Sequence, residues 1–532
     1  LFLEELRKPG PWKNTIDHGE GVVDEHARII GREPEVDRDA IWSHIRRRLP
    51  LPLIAWRDLD DAAVARFVES GARLPGVDLH IQPVRVYPGG DLACHAIGYV
   101  GRAEPPDQDG DEPYHYYLPE MAGRAGLERS MDELLRGEAG GRLMQVDVTG
   151  YRRRDLGVRT PQRGHDVMLA LDARIQRMAE EALGEQTGSV VVLDPDNGDV
   201  LAMASHPGYD LNLFVPSIST AEWQQLLENP ETPLLNRPVA GTYPPGSTFK
   251  MITGLAGLVN DTCTLDEVHN CPGYFNLGRA ATFRCWNRRG HGPVNLEQAI
   301  EGSCNVYFFE VGLQAGIDAI YYQAAALGLG ERTGIELEAE QPGLIPNDAW
   351  KRRVHNDSWR DGDTCNVSIG QGAVLVTPLQ MAVMTATLAN GGTVYQPRLV
   401  AGVRVPGVEA FDTIPPVVKN RMNWKRQHIE TVRLGMRDVI MSPRGTARSA
   451  GIPGVVFAGK TGTAEFGPKE ARMRHAWMVA FAPYDNPEVA IALLVDEGVS
   501  GGETAAPVMK RLLSKIFEDE VNAAAGRGRA GS

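Results

Sequence analysis

The hydrophobic pattern in the second third of the chain predicts a strand, a helix and a hairpin in succession. Residues 167–172 form a short apolar run typical of a strand, and residues 173–183 carry apolar side chains at helical spacing. Two further apolar runs at 189–194 and 199–205 are joined by Pro-Asp-Asn-Gly, a turn sequence that connects antiparallel strands. A domain that opens with a β-hairpin is therefore expected to begin near Gly164.

Three more strand-like runs lie near the other end of the chain, at residues 454–459, 475–482 and 489–495. Helical patterns occupy much of the sequence between the two groups of strands. Because strands from both ends need partners, the pattern predicts an α+β fold whose sheet is built from sequence-distant pieces.

The N-terminal part has a different composition. It is rich in Arg, Asp, Gly and Pro, with short strand-like pieces at 77–86 and 93–100. The acidic, proline-containing residues 104–113 predict an exposed loop because they can bury little apolar area. We therefore expect three regions, namely a module of mixed strands and helices at 1–163, a larger domain at 164–522 and a disordered tail at 523–532.

Composition narrows the class of protein. The 532 residues allow two to four domains, and the net charge of −14 argues against a general nucleic-acid binder, which needs clustered Lys and Arg. No apolar run approaches the roughly 18 to 20 residues that cross a bilayer. Since the chain begins with Leu1 rather than Met, we expect a signal or anchor segment to be missing from it.

A Ser-x-x-Lys sequence begins the helical pattern at Ser247. Residues three apart share a helix face, so Ser247 and Lys250 can reach each other. A serine hydroxyl is a weak nucleophile unless a base takes its proton, and a lysine does so only when neutral. The pattern thus predicts a Ser247 nucleophile with Lys250 as base, if burial or a second cation such as Lys460 lowers the Lys250 pKa. An isolated motif of this kind is more often a capped helix.

Two further short motifs offer complementary chemistry. Ser303-Cys-Asn305 supplies a hydroxyl that can relay a proton and an amide that can bind a substrate amide. The Lys460-Thr-Gly-Thr463 sequence follows the predicted strand at 454–459, and its donors suit a carboxylate while its glycine permits close backbone approach. Alone, each is equally compatible with an ordinary helix or strand end.

Together the three motifs are specific, because each occurs once and in the order found in penicillin-binding proteins and related β-lactamases. The chain resembles the class B penicillin-binding proteins over most of its length, and its middle region resembles the elongation-type group, penicillin-binding protein 2. The sequences that carry the resemblance are Ile97-Gly-Tyr-Val-Gly101, Gly126-Leu-Glu128, Leu193-Asp-Pro195, Gly273-Tyr-Phe-Asn, Arg284-Cys-Trp286, Gly290-His-Gly292, Gly343-Leu-Ile-Pro346, Trp350-Lys351, Ile369-Gly-Gln-Gly372, Thr377-Pro-Leu-Gln380 and His475-Ala-Trp477.

This resemblance implies a transpeptidase fold, an antiparallel sheet flanked by helices, with an N-terminal pedestal or dimerisation-like domain. It also implies a D,D-transpeptidase that cross-links stem peptides during cell elongation through a serine acyl-enzyme, the same serine that β-lactams acylate. The catalytic groups by resemblance are Ser247, Lys250, Ser303, Asn305 and Lys460, and the substrate-binding groups are Thr461, Gly462 and Thr463.

By the same resemblance, Ser303 relays a proton to the leaving amine, and Asn305 binds both the substrate amide and Lys250. Lys460 and Thr463 hold the terminal carboxylate, while the backbone amides of Ser247 and Thr463 form the oxyanion hole. The implied partners are stem peptides, β-lactams and a membrane glycosyltransferase of the elongation machinery. The implied location is the bacterial inner membrane, with the catalytic domain in the periplasm.

Four residues in this region have the chemistry of a zinc site. Cys271, Cys285, His291 and Cys304 offer three thiolates and one imidazole, a common tetrahedral set for structural zinc. Zinc there would support the Ser-x-Asn motif from behind, because Cys304 lies inside it. The alternative is one or two disulfides and a hydrogen-bonded histidine. The other cysteines, Cys94, Cys263 and Cys365, are interpreted as structural.

Other functions share these motifs. A β-lactamase or β-lactam sensor would add a way to activate water for deacylation, and a carboxypeptidase would cleave the same bond without cross-linking. A division-type class B protein is a poorer match in the middle region. The chain could also serve chiefly as a scaffold for a partner enzyme.

Overall fold

A computed structural model describes residues 6–47, 52–57, 59–70, 77, 79, 84–103, 121–146, 152–278, 281–467 and 473–530, so the predicted loop at 104–113 lies outside the described residues. The α-helices are α1 (Trp12–Ile30), α2 (Arg38–Arg47), α3 (Asp61–Glu69), α4 (Cys94–Ile97), α5 (Gly126–Ser130), α6 (Asp132–Arg136), α7 (Ala173–Leu183), α8 (Thr220–Glu228), α9 (Arg237–Ala240), α10 (Lys250–Val259), α11 (Leu296–Glu301), α12 (Asn305–Ala326), α13 (Asp348–His355), α14 (Asp361–Ser368), α15 (Pro378–Ala389), α16 (Arg426–Met441), α17 (Ala506–Ile516) and α18 (Glu518–Ala530).

The strands are β1 (Val100–Arg102), β2 (Met121–Gly123), β3 (Gly141–Val146), β4 (Arg152–Arg159), β5 (Asp166–Leu169), β6 (Gly188–Leu193), β7 (Val200–His206), β8 (His269–Cys271), β9 (Tyr274–Leu277), β10 (Ala281–Arg284), β11 (Gly292–Val294), β12 (Thr393–Tyr395), β13 (Val400–Arg404), β14 (Asp412–Thr413), β15 (Val418–Arg421), β16 (Ala458–Phe466), β17 (Met473–Ala482) and β18 (Val489–Val495). Short 3₁₀ turns occur at Leu211–Phe214, Gly246–Phe249 and Arg448–Ala450.

The chain forms two compact units. The first comprises Leu1–Arg85, Arg102–Met121 and Arg136–Gly164, and the second comprises Val86–Gly101, Ala122–Leu135 and His165–Ser532. The predicted single module at 1–163 is therefore interrupted. Its two inner segments belong to the second unit because side chains such as Ala96 and Leu127 are buried in that unit's hydrophobic core.

The first unit contains a small helical core. Helix α1 packs against α2 and α3, and a few apolar side chains, among them Ile16, Val23 and Ile41, are buried between them. Strands β3 and β4 form a two-stranded antiparallel ribbon in the same unit. Across the described residues of both units, no helix combines the length and apolar character needed to cross a membrane.

A five-stranded antiparallel sheet in the order β16-β17-β18-β6-β7 is the centre of the second unit. The hairpin β6–β7 and the strands β17 and β18 match the runs predicted from the sequence, so the prediction of a sheet from sequence-distant pieces is confirmed. Strands β6 and β18 are buried along their whole length, as expected when helices cover both faces of a sheet. Helices α7 and α15 are among those that pack on it.

Three local predictions were wrong. Residues 93–100 contain the short helix α4 instead of a strand, with Ala93 in a left-handed conformation before it. The Lys-Thr-Gly sequence lies inside strand β16 and does not follow a strand at 454–459. Its glycine, Gly462, allows close packing within the sheet and does not form a turn. The tail predicted to be disordered at 523–532 continues helix α18 as far as Ala530, the last described residue.

Candidate active site

Ser247 lies in a 3₁₀ turn, Gly246–Phe249, that leads directly into the buried helix α10. The backbone N–H of Lys250 donates to the Ser247 carbonyl across this turn. Gly246 has a φ of 56°, and a Cβ there would lie 2.7 Å from the Thr463 carbonyl oxygen. Glycine is therefore required for the Ser247 turn to approach β16 closely.

Neighbouring groups fix this turn. The Gly246 N–H donates to the Gly370 carbonyl at 2.9 Å, and the buried Trp477 indole donates to the Pro244 carbonyl at 3.0 Å. Gly370 cannot carry a side chain either, since a Cβ would lie 2.3 Å from the Gly246 carbonyl. The partly exposed Ser247 side chain thus sits on a rigid support.

Lys250 is fully buried and points to the Ser-x-Asn motif. Its Nζ donates to the Ser303 carbonyl at 2.8 Å, to Ser303 Oγ at 3.2 Å and to Asn305 Oδ1 at 2.7 Å. Burial lowers the pKa of Lys250 to about 8, although the charge of the nearby Cys285 sulfur opposes this shift. A sizeable neutral fraction is therefore available near neutral pH, as a general base requires.

Lys460 is the second buried amine of the cleft. Its Nζ donates to Ser303 Oγ at 2.9 Å and to the Thr461 carbonyl at 2.9 Å. Burial, and then the charge of Lys250, lowers the pKa of Lys460 well below its usual range. The sequence had suggested that Lys460 would lower the Lys250 pKa; in the structure burial is the main cause for both amines.

Ser303 joins the two amines through one hydroxyl. Its backbone has a φ of 54°, a left-handed conformation that costs a non-glycine residue about 1 to 2 kcal/mol. Cys304 then caps helix α12, whose first residue is Asn305. This turn aims Ser303 and Asn305 into the cleft and buries Cys304 behind them, as the sequence predicted.

Strand β16 forms the opposite wall. Thr461 Oγ1 lies 2.8 Å from Thr446 Oγ1, and Thr463 Oγ1 accepts from the Gly501 N–H at 3.1 Å. A Cβ on Gly462 would approach the Pro245 carbonyl oxygen to 2.8 Å. The strand therefore packs against the Ser247 turn only because residue 462 has no side chain.

The four predicted metal ligands also meet. Cys271 Sγ, Cys285 Sγ, Cys304 Sγ and a ring nitrogen of His291 all lie within 4.8 Å of one another. The two distances from His291 Nδ1, to Cys271 Sγ and to Cys285 Sγ, are both 3.5 Å. A tetrahedral zinc with ordinary bond lengths gives ligand-to-ligand edges of about 3.5 to 3.8 Å, so the cluster has suitable dimensions.

Within the cluster the pKa values of two thiols move in opposite directions, because the hydrogen bond between Cys304 and Cys285 lowers the pKa of Cys285 and raises that of Cys304. Hydrogen bonds from Cys304 and, to a smaller extent, from His291 and the Asn305 N–H lower the pKa of Cys285 to about 3, against the opposing effect of burial. The Asn305 N–H to Cys285 Sγ distance is 3.4 Å. All six cysteines of the chain are buried and free. Cys94 packs in an apolar cluster, in agreement with its predicted structural role.

Some groups at this site were not identified as functional from the sequence. Trp286 donates its indole N–H to the carbonyls of Gly302 and Ser303 at 3.0 and 3.1 Å, and Gln371 donates to the Thr463 carbonyl at 3.4 Å. Trp286 and Gln371 both lie in sequences that carry the family resemblance, so this resemblance could have identified them as site residues. No pattern in the sequence indicated Thr446.

Comparisons with known proteins match this arrangement. A family profile described as Penicillin binding protein transpeptidase domain matches residues 188–514, and one described as Penicillin-binding Protein dimerisation domain matches residues 14–169. Peptidoglycan D,D-transpeptidase MrdA of Acinetobacter baumannii is 35% identical over 509 residues, which cover 93% of this chain and 75% of that protein.

Two solved structures are similar over most of the chain. The complex between Penicillin-Binding Protein (PBP2) and MreC from Helicobacter pylori has 30% identity and a TM-score of 0.80, and covers 96% of this chain and 92% of that one. A structure described as structural coordination of polymerization and crosslinking by a peptidoglycan synthase complex has 32% identity and a TM-score of 0.74, with coverages of 90% and 85%.

The fold and these matches define a serine acyl-transferase of the penicillin-binding class, with a transpeptidase domain and a dimerisation domain. The chain belongs to the class B penicillin-binding proteins, in the elongation-type group of peptidoglycan D,D-transpeptidases that includes MrdA. Its activity is therefore peptidoglycan cross-linking, and the elongation-type assignment is favoured over the division-type and β-lactamase alternatives. The fold, family and activity predicted from the sequence are confirmed.

Proposed function

We propose that Ser247 is the acylated nucleophile and that Lys250 is its general base. The neutral amine of Lys250 takes the hydroxyl proton as Ser247 Oγ attacks the penultimate D-alanyl carbonyl. The backbone N–H groups of Ser247 and Thr463 hold the resulting oxyanion, an interaction typically worth about 3 kcal/mol per donor. The observation that carries this proposal is the contact of both buried amines with the single hydroxyl of Ser303.

That contact provides a proton route. Ser303 Oγ lies 3.2 Å from Lys250 Nζ and 2.9 Å from Lys460 Nζ. A proton taken up by Lys250 can pass through this hydroxyl to the leaving amine, so that the C–N bond breaks as neutral D-alanine amine departs. An amine of a second stem peptide then attacks the ester, and the same route returns the proton to Ser247.

The other motif residues bind the donor. Asn305 is held by its Oδ1 contact with Lys250, and its amide is the proposed ligand for the substrate amide. Lys460 and Thr463 are the proposed partners of the terminal carboxylate, with Thr461 and Gly462 completing the binding strand. Charge-assisted hydrogen bonds to a carboxylate are stronger than neutral ones, which suits the terminal acid as a handle.

Treatment with benzylpenicillin tests the nucleophile directly. We expect one covalent adduct per chain, on the proteolytic peptide that contains residue 247, because the β-lactam carbonyl is attacked as the peptide carbonyl is. Mass spectrometry of the intact protein and of its peptides measures this. An adduct on another peptide, or no adduct on well-folded protein, would refute the role of Ser247.

A structural zinc ion is the second part of the proposal, with Cys271, Cys285, His291 and Cys304 as its ligands. The support is the donor set, the 4.8 Å limit on the distances within the cluster, and the Asn305 N–H that stabilises a thiolate at Cys285. When bound, zinc supplies a fixed cross-link and no chemistry of acyl transfer. Because the proposed ligand Cys304 lies between Ser303 and Asn305 in the chain, the zinc site would hold these two residues in place.

Replacing Cys285 by alanine is expected to reduce zinc from about one per chain to a small fraction, because a three-ligand site binds far more weakly. We expect the Tm to fall by about 10 °C as several kcal/mol of metal binding is lost. Elemental analysis and thermal unfolding measure the two effects. Cys365→Ala, also buried but outside the cluster, should keep its zinc; cysteines found in intact disulfides would rule out the site.

The remaining proposals concern location and partners. The chain is proposed to act at the periplasmic face of the inner membrane, held there by an anchor segment. Its proposed partner is a membrane glycosyltransferase of the elongation machinery, supported by the similarity to the structure of a peptidoglycan synthase complex. A protein like MreC is a further candidate partner, since the similar protein from Helicobacter pylori was solved in complex with MreC.

A further inference from the structure

The segment 284–289, here named the arginine knuckle, presents an unusual set of side chains beside the cleft. Arg284, Arg288 and Arg289 are exposed, and between them the Trp286 side chain is 57% exposed. The segment connects the end of strand β10 with His291 and includes the buried Cys285.

The backbone of the arginine knuckle is held firmly. The Cys285 N–H donates to the Gly273 carbonyl and the His291 N–H to the Cys271 carbonyl, both at 3.0 Å. Asn287 closes the turn by donating to the Gly290 carbonyl at 2.7 Å. The backbone that carries the exposed arginines is therefore fixed by several hydrogen bonds.

The positive charge of the arginine knuckle is not neutralised by the protein. Within the described part of the chain, none of Arg284, Arg288 and Arg289 forms an ion pair, whereas other exposed arginines do, for example Arg426 with Glu430 at 2.6 Å. The chain as a whole carries a net charge of −14. A local group of three unpaired guanidinium groups is thus a distinct feature that favours anions.

The knuckle is attached to the substrate-binding motif. Asn305 Nδ2 donates to the Arg284 carbonyl at 3.2 Å, and the Trp286 indole N–H donates to the Ser303 carbonyl at 3.1 Å. In the proposed mechanism Asn305 binds an amide upstream of the scissile bond, while Lys460 holds the terminal carboxylate on β16. The upstream part of the donor peptide consequently leaves the cleft on the side of the knuckle.

We infer that the arginine knuckle is a binding subsite for carboxylates carried by the acyl-donor peptide upstream of its D-alanyl-D-alanine end. Guanidinium groups recognise carboxylates with two parallel hydrogen bonds, and the exposed Trp286 ring offers an apolar surface for the peptide between them. This inference deepens the proposed function and rests on the orientation given there by Asn305 and Lys460.

The test uses two fluorescent peptides that end in D-alanyl-D-alanine, one with two upstream carboxylates and one with the corresponding amides. Binding is measured by fluorescence anisotropy on the Ser247→Ala chain, which prevents turnover. We expect tighter binding of the acidic peptide, with a preference that weakens at high salt. Adding Arg288→Gln and Arg289→Gln should weaken acidic-peptide binding about three- to tenfold relative to the amidated peptide.

The matched control removes the same charge elsewhere. The control variant combines Arg421→Gln, on β15, with Arg426→Gln, on α16. We expect this variant to keep the preference for the acidic peptide. Equal preferences with and without the knuckle arginines would overturn the inference. Benzylpenicillin labelling of the chain with Ser247 intact is scored separately, so a failed acyl-transfer mechanism and a failed subsite give different results. Unchanged zinc content and Tm show that the variant is folded.

Discussion

Replacement of Ser247 by alanine is expected to abolish both penicillin acylation and peptide cross-linking, with a loss of about 10⁵-fold or more in turnover. The reason is that Ser247 carries the partly exposed hydroxyl one turn before the proposed base, Lys250. The Ser247 side chain is the partly exposed one in a turn whose other residues, Gly246, Thr248 and Phe249, are buried, so its removal leaves those core contacts in place. Stopped-flow acylation and a D-alanine release assay measure the loss.

The control for this variant is Ser449→Ala, which removes an exposed serine hydroxyl from another 3₁₀ turn. That variant should acylate at the normal rate. The Tm of Ser247→Ala should remain within about 2 °C of the parent protein, as for surface substitutions generally. Residual acylation above a thousandth of the parent rate would contradict the assignment of the nucleophile.

Replacement of Lys250 by methionine is expected to slow acylation by about 10³-fold, because the general base is lost while the buried stem keeps its packing. In the parent protein the rate should rise with pH and level off above the Lys250 pKa of about 8. The sign follows from the chemistry, since only the neutral amine accepts a proton. At pH 7 such an amine is about one-tenth neutral, some 300-fold more than an unperturbed lysine.

The Lys250→Arg variant distinguishes the role of Lys250 as a base from the role of its positive charge. A guanidinium retains the positive charge and the donors but does not deprotonate, so this variant should be as slow as Lys250→Met and should show no rise in rate with pH near 8. If Lys250→Arg acylated normally, Lys250 would act through its charge, and the proton acceptor would have to be another group.

The sequence was sufficient to predict the activity and to show that the motif residues meet in one cleft, because each motif is local. Ser247 and Lys250 are one turn apart, and Ser303 and Asn305 flank a buried Cys304, so short-range geometry already orients their side chains. The buried runs of β6, β17 and β18 were equally clear. Each contains an uninterrupted apolar run that is buried in the sheet, a pattern with few alternatives to a strand.

The predictions that failed depended on distant contacts. Whether the Lys460–Thr463 motif ends a strand or continues it depends on β17, whose residues Ala476 to Val479 pair with the motif. The segment around Ala96 joins the second unit through packing that its own pattern does not show. Thr446 Oγ1 lies 2.8 Å from Thr461 Oγ1. Thr446 follows helix α16 in the chain, and the periodicity of the sequence does not show that this helix brings Thr446 to strand β16.

The shared Ser303 hydroxyl links donor binding to protonation. Two ammonium groups in contact with one oxygen repel each other, and the low pKa of Lys460 indicates that the free cleft gives up a proton readily. An arriving carboxylate would stabilise the charged form of Lys460, and the repulsion between the two amines would then favour loss of the proton that Lys250 mostly carries at pH 7. The donor would thereby set the ionisation state that its own cleavage requires, and its affinity would decrease in alkaline solution.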